Sequence, residues 1–325
     1  MSRMREFFLN DDWDAPFFKR LAHNDTGEAV GHQGGIVLPK DLRQFFPTLD
    51  QAQTSATSPT TDRHLRVELY LASGRLIEAI VRYQIQTWGG TRSPESRITD
   101  NLTSLRNRAA EGDLLVFQRR VDALDRFRLV LLKQETPEFA EVNSMTGGRR
   151  WGILEIGEEP VTQTEILKAE KEIVTLADKP FELLKTEVTR IETRQNKIAR
   201  CSVFGVKVRA EYERRCCVSG ISIATPSAVY EVESAHVVPL NRGGSDDIRN
   251  GLSLTQTIHW AFDRGLFGIL PNRTIYLPRQ VKRMTENAFL KQFEGKPIVE
   301  AKTPNLRVHN EAIRWHLETL VKQWE

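Results

Sequence analysis

The chain has 325 residues, 40% of them apolar and 27% charged, the balance of a soluble globular protein with length enough for two buried cores. A net charge of +3 is too small for a protein that coats polyanions, and no apolar run approaches the ~20 residues that a membrane span needs. The opening MSRMREFFLNDDWD lacks the apolar stretch of a signal peptide, so a cytoplasmic location is the expectation.

Residues 1–150 read as a mostly β domain. Apolar or alternating runs (GIVLPKDL, LRVELYLA, LIEAIVRYQIQ, DLLVFQRR, FRLVLLKQ) are separated by turn signals such as GHQGG, ASGR and TWGGTRSPES, the pattern of short strands packed into a small barrel-like sheet. DLRQFF and ESRITDNLTSLRNRAA read as helices, the second because Ile98, Leu102 and Leu105 share a helical face. QAQTSATSPTTD, residues 51–62, has almost nothing apolar to bury and reads as a surface loop.

Two loops of this domain carry unusual chemistry. HNDTGEAVGHQGG presents His32 and Gln33 from a glycine-rich backbone, and WGGTRSPESR holds Arg92, Glu95 and Arg97. Arg pairs with guanine edges, Glu accepts from cytosine N4 and Gln pairs with adenine, so the two loops hold a base-reading set; equally, they are solvated hairpin tips whose Arg and Glu pair with each other.

The segment KRLAHNDTGEAVGHQGGIVLP (19–39), followed by TRSPESRIT (91–99), resembles the amino-terminal domain of the EcoRII restriction endonuclease, a B3-like DNA-binding pseudobarrel. The resemblance implies double-stranded DNA as partner, straddled by two arms around His32 and around Arg92, Glu95 and Arg97. In this chain Val37 stands in place of an aromatic, Gly90 and Ser96 in place of lysines, and Pro94 as an insertion, changes expected to remove donors and bend an arm.

Residues 151–189, rich in Glu, Lys, Leu and Ile at helical spacing and interrupted at Pro180, read as a helical linker, with GGRRWGI (147–153) before it as the boundary. Residues 190–325 read as a second domain: a helix through VFGVKVRAEYERR, a strand in AVYEVESAHVVPL, a polar loop, a helix TQTIHWAFD, a hairpin around PNR and a carboxy-terminal amphipathic helix. Cys201, Cys216 and Cys217 form no C-x-x-C, so no structural zinc is expected.

Within SAHVVPLNRGGSDDIRNGLSLTQTIHWAFDRG, His236 stands at a strand end, Asn250 follows it by fourteen residues and His259 comes nine further on, with Asp263 one helical turn beyond His259. A neutral imidazole is a suitable base for activating water, and a His/Asp pair at i, i+4 can hold one divalent cation. Arg242 and Arg249 are candidate phosphate contacts. A-H-x-x-P, then N-G, then H-x-x-x-D is similar to the HNH (ββα-metal) nuclease family over about residues 190–320. That resemblance makes His236 the general base, Asn250 the orienting residue, and His259 with Asp263 the ligands of a divalent metal, Mg²⁺ before Mn²⁺; where many members carry a further ligand, this chain has Ala235.

The expectation is therefore an α+β multidomain protein, a β-rich DNA-binding pseudobarrel followed by a helical linker and an HNH nuclease domain, acting as a site-directed DNA endonuclease of restriction type. A homodimer is one way to reach both strands. Two alternatives stay open: cleavage that depends on 5-methylcytosine, and a non-cleaving DNA-binding regulator with a degenerate HNH fold, prompted by Ala235.

Overall fold

The computed structural model describes residues 3–10, 12–28, 34–71, 74, 76–88, 92–184 and 194–325. They fall into two compact units, Met1–Leu167 with Arg194–Ala199, and Lys168–Thr193 with Arg200–Glu325.

In the first unit eight strands form one sheet: β1 (Phe17–Arg20), β2 (Ile36–Leu38), β3 (Thr60–Tyr70), β4 (Leu76–Gln86), β5 (Glu95–Thr99), β6 (Leu114–Arg120), β7 (Ala123–Leu132) and β8 (Trp151–Ile153). Their order across the sheet is β2-β5-β4-β3-β7-β6-β1-β8, with β3 and β7 parallel and the other neighbours antiparallel. Because β8 pairs with β1, the unit continues past the expected boundary at GGRRWGI to Leu167.

Side-chain alternation decides what each strand contributes. In β1, β6 and β7 both faces are sealed. Phe17, Leu115, Phe117, Leu129 and Leu131 join one core, and their neighbours Phe18, Leu114, Val116, Val130 and Leu132 join a second. Helix α1 (Arg3–Phe8) gives Met4 and Phe8 to the second core, α2 (Thr103–Arg106) gives Leu105 to the first, and α3 (Pro137–Ser144) gives Val142 to the second. The apolar runs DLLVF and FRLVLL show no alternation because neither face is wet. In β4 and β5, by contrast, Val81, Tyr83, Ile85, Ser96 and Ile98 are buried, while Arg82, Gln84, Gln86, Arg97 and Thr99 stand on the other, half-open face.

The Arg119–Asp14 ion pair lies deep inside this unit. The Arg119 guanidinium donates to Asp14 Oδ2 at 3.1 Å and to the carbonyls of Phe45 and Val161 at 3.3 and 2.6 Å. Asp14 also accepts from the backbone N–H groups of Ala15 and Val161, at 2.8 and 2.9 Å. Burial pushes the Asp14 carboxyl up in spite of Arg119, and pushes the Arg119 guanidinium down in spite of Asp14.

The expected helix over ESRITDNLTSLRNRAA is a strand, a turn and one short helix. Glu95–Thr99 is β5, held between β4 and β2, and Asp100 and Asn101 then take left-handed backbone, φ 60° and 50°, before α2. Ile98, Leu102 and Leu105 still enter one core, as their spacing implies, but by a different path of the chain. Ser96, where the EcoRII resemblance has lysine, is fully buried on the core side. The change at that position therefore takes no donor from the open face. DLRQFF lies in a 3₁₀ helix, Lys40–Phe45.

Helices α4 (Gln163–Ala177) and α5 (Arg194–Glu211) belong to the second unit from Lys168 and Arg200 onward, and are followed there by an antiparallel pair, β9 (Glu233–His236) and β10 (Gly251–Leu254), and then α6 (Gln256–Asp263). Gly251 is needed for packing: a Cβ there would lie 2.4 Å from Val208 and 2.9 Å from Phe204, both on α5. Gly265, at φ 64°, stops the chain after α6, where a side chain would collide with the Leu320 carbonyl at 2.2 Å. The expected hairpin around PNR is β11 (Gly268–Ile269) paired with β12 (Ile275–Tyr276). The carboxy-terminal helix runs Asn310–His316 and passes into a π-helical turn, Leu317–Val321. No described helix is long and apolar enough to cross a membrane.

Candidate functional site

The second unit brings His236, Asn250, His259 and Asp263 onto one small scaffold. β9 and β10 pair with His236 opposite Gly251 and Glu233 opposite Leu254, so Asn250 arrives beside the end of β9. Asn250 is fully buried. Its Oδ1 accepts from the Val238 N–H at 2.9 Å, and its Nδ2 donates to the carbonyls of Val238 and Ser245 at 3.0 and 2.9 Å. It ties the chain just after His236 to the polar loop and uses its whole amide to do so.

His236 is fixed on two sides. Its Nε2–H donates to Asp246 Oδ1 at 3.2 Å, and its ring lies flat on Phe204 of α5, with centroids 3.8 Å apart and planes 9° off parallel. Asp246 is itself buried and takes a second bond from Arg200 Nε at 2.9 Å. Among the described residues His236 Nδ1 has no partner, which leaves it as the ring atom available for a proton.

His259 is fixed in the same way by a different carboxylate. Its Nδ1–H donates to Glu233 Oε2 at 2.9 Å, which turns Nε2 toward Asp263 Oδ2 at 3.6 Å. Burial would lower the His259 pKa, but the Glu233 hydrogen bond and the charges of Asp263 and Glu233 outweigh it and hold the imidazole above its ordinary value. Burial raises the Asp263 carboxyl, opposed by His259 and Arg264. Two carboxylates thus flank one imidazole.

Ala235 is fully buried opposite Leu252, so nothing at that position reaches a ligand. Glu233, two residues earlier and hence on the same face of β9, brings a carboxylate to His259 instead. Among the described residues no group of three or more His, Cys, Asp or Glu is arranged to hold a metal. The donor set that fits a hard divalent cation is one ring nitrogen, His259 Nε2, and one carboxylate, Asp263, with Glu233 orienting the imidazole behind them.

The two candidate phosphate contacts differ. Arg242 is exposed. Arg249 is not placed to meet a phosphate. Its guanidinium bonds Asp247 and the carbonyls of Leu176 and Lys179 at 2.8 and 2.9 Å, lies 5.5 Å from the Phe181 ring centroid, and is 12% exposed. It acts as an internal tie.

In the first unit His32 and Gln33 lie outside the described residues, as does Gly90. The segment before them is anchored by buried Asp25, which pairs with Lys19 at 2.6 Å and accepts from the N–H groups of Ala22 and Val37. Arg92 is exposed, its guanidinium 5.3 Å from the Trp88 ring centroid, while Arg97 and Glu95 form an ion pair with each other.

Arg200 and Phe204 were not legible as site residues. They lie one turn apart on α5, and only the fold brings that face to His236. In the sequence Glu233 and Asp246 read as neighbours that could replace the ligand missing at Ala235; Glu233 bonds His259 and Asp246 bonds His236.

Comparison with known families agrees with this layout. Residues 216–270 match the HNH endonuclease model, and residues 12–130 match the model of the amino-terminal domain of restriction endonuclease EcoRII. The two matched domains are those of an HNH restriction endonuclease with an EcoRII-type amino-terminal domain. Among solved structures, the modification-dependent TagI restriction endonuclease is similar at 14% identity over 92% of this chain and 80% of that one, with a TM-score of 0.32, too loose a likeness to bear on fold or activity. No curated protein matches.

Proposed function

We propose that the protein hydrolyses phosphodiester bonds in duplex DNA at sites chosen by its amino-terminal domain. His236 Nδ1 takes the proton of the attacking water, Asn250 holds the His236 segment in register, and His259 with Asp263 binds one divalent cation, Mg²⁺ or Mn²⁺. When bound, the cation would offset charge on the phosphorane and on the leaving 3′ oxygen. Recognition falls to residues 1–150, taken as the B3-like pseudobarrel with His32, Gln33, Arg92, Glu95 and Arg97, and cleavage to residues 190–325, with residues 151–189 as the helical link. Two copies acting together would cut both strands.

The observation that carries this reading is the paired support of the two imidazoles. Asp246 holds Nε2 of His236 and Glu233 holds Nδ1 of His259, so each ring keeps its other nitrogen for chemistry.

Cleavage of plasmid DNA should stop on chelation with EDTA and return with Mg²⁺ or Mn²⁺. Glu233→Gln is expected to raise the metal concentration for half-maximal cleavage roughly 10- to 100-fold without weakening specific DNA binding. If specifically bound DNA stays intact in Mg²⁺, Mn²⁺, Co²⁺ and Ni²⁺ alike, the protein is a regulator and the assignment fails.

Asp246 is a positioning residue, acting through His236. Asp246→Asn is expected to lower kcat about 10- to 100-fold and leave KM where it is, because the imidazole loses its orienting carboxylate while the DNA contacts remain. A matching rise in KM would point instead to a collapsed loop.

A further inference from the structure

The half-open face of β4 and β5 carries a second polar surface, beside the arms, with Gly34 and Arg97 at its edge. The two strands form an antiparallel ribbon with Gln86 opposite Glu95, Gln84 opposite Arg97 and Arg82 opposite Thr99. A hollow of about 230 Å³ opens on this face, lined on β4 by Arg82, Gln84 and Gln86 and on β5 by Arg97 and Thr99.

The two arginines of the hollow are already committed, whereas Asp100, which also lines it, is exposed. Arg82 is paired with Asp62 of β3, and Arg97 with Glu95. The amides of Gln84 and Gln86 are not: among the described residues neither has a hydrogen-bond partner, although both side chains are half-buried. An amide offers a donor and an acceptor side by side, and these two face the open hollow, where a ligand can meet them.

We propose that Gln84 and Gln86 read adenines in the major groove of the DNA target, extending the reading surface from the arms along β4. This rests on the reading of the amino-terminal domain as a duplex-DNA binder. Flanked by β2 and β3, the two strands offer a polar sheet face to a duplex laid against it, and a glutamine amide matches adenine, accepting from N6 and donating to N7. Residues two apart on one strand face stand about 6.8 Å from each other, and base pairs stack about every 3.4 Å, so the two amides address adenines separated by one base pair. Paired to carboxylates, Arg82 and Arg97 lose much of their indiscriminate pull on phosphate, which leaves the amides to discriminate.

The test is selection of bound sequences from a randomised duplex pool by the full chain in EDTA, so that nothing is cut, with the wild type, Gln84→Ala, Gln86→Ala and Gln84→Glu. The wild type should enrich a motif containing adenines. Each alanine variant should relax discrimination at one adenine roughly tenfold, and Gln84→Glu, which keeps the side chain's size but can only accept, should shift that position toward cytosine. Unchanged melting of the variants shows that the fold is intact. If the wild type enriches a motif that all three variants enrich identically, the inference is overturned while DNA recognition stands. If the wild type enriches no motif, recognition itself fails and the inference falls with it.

Discussion

Replacing His236 with alanine is expected to cut DNA cleavage roughly 10²- to 10⁴-fold, the usual loss on removing a general base, while specific DNA binding is unchanged. The side chain lies against Phe204 and Asp246, so removing it leaves a small gap beside α5 and no unpaired buried donor; Asp246 keeps its bond from Arg200. Adding Asp246→Asn to His236→Ala should do little further harm, because Asp246 has no other route to the reaction. Single-turnover cleavage of a bound duplex, with binding followed separately in EDTA, separates the two effects. Full activity in the alanine variant would move the general base elsewhere.

The largest loss of stability should come from Asp14→Ala. The change strips the Arg119 guanidinium of its counter-charge in a site where Asp14 is 2% and Arg119 3% exposed. Removing one partner of a buried pair leaves an uncompensated charge and typically costs about 3–5 kcal/mol. That is a large part of the roughly 5–15 kcal/mol by which a domain is stable. Burial already pushes both groups toward their neutral forms, so desolvation weighs heavily against the pair even when it is intact. Asp14→Leu with Arg119→Met should therefore recover much of the loss. Denaturant midpoints of the three proteins decide it, and a double variant no better than the single would show that the four carbonyl and N–H bonds at this site matter more than the charges.

The strands were legible where period two or an unbroken apolar run leaves one choice, as in β4, β6 and β7. They were illegible where two periods coincide: Ile98, Leu102 and Leu105 satisfy a helical spacing, yet pairing with β2 and β4 decides that Ile98 lies on a strand. His259 and Asp263 were legible because helical spacing alone puts them one turn apart. Asp246 was not assignable to His236, since ten residues of irregular loop separate them and only the Asn250 ties settle its path. Arg249 misled for a related reason. Its sequence neighbourhood is polar, and the carbonyls that occupy it lie 73 and 70 residues away.

The sheet of the first unit is divided in use along its width. On β1, β6 and the second half of β7 the apolar positions fill one core or the other in turn, whereas on β4 and β5 alternate positions are decoupled from packing. Exchanges at Arg82, Gln84, Gln86 or Thr99 leave Val81, Tyr83, Ile85 and Ile98 in place and should alter stability by only about ±0.5 kcal/mol. A lineage under pressure to change its target can thus explore this face almost without penalty to folding. The same half-dry geometry makes the hairpin a practical place to randomise when a new specificity is wanted from the same frame.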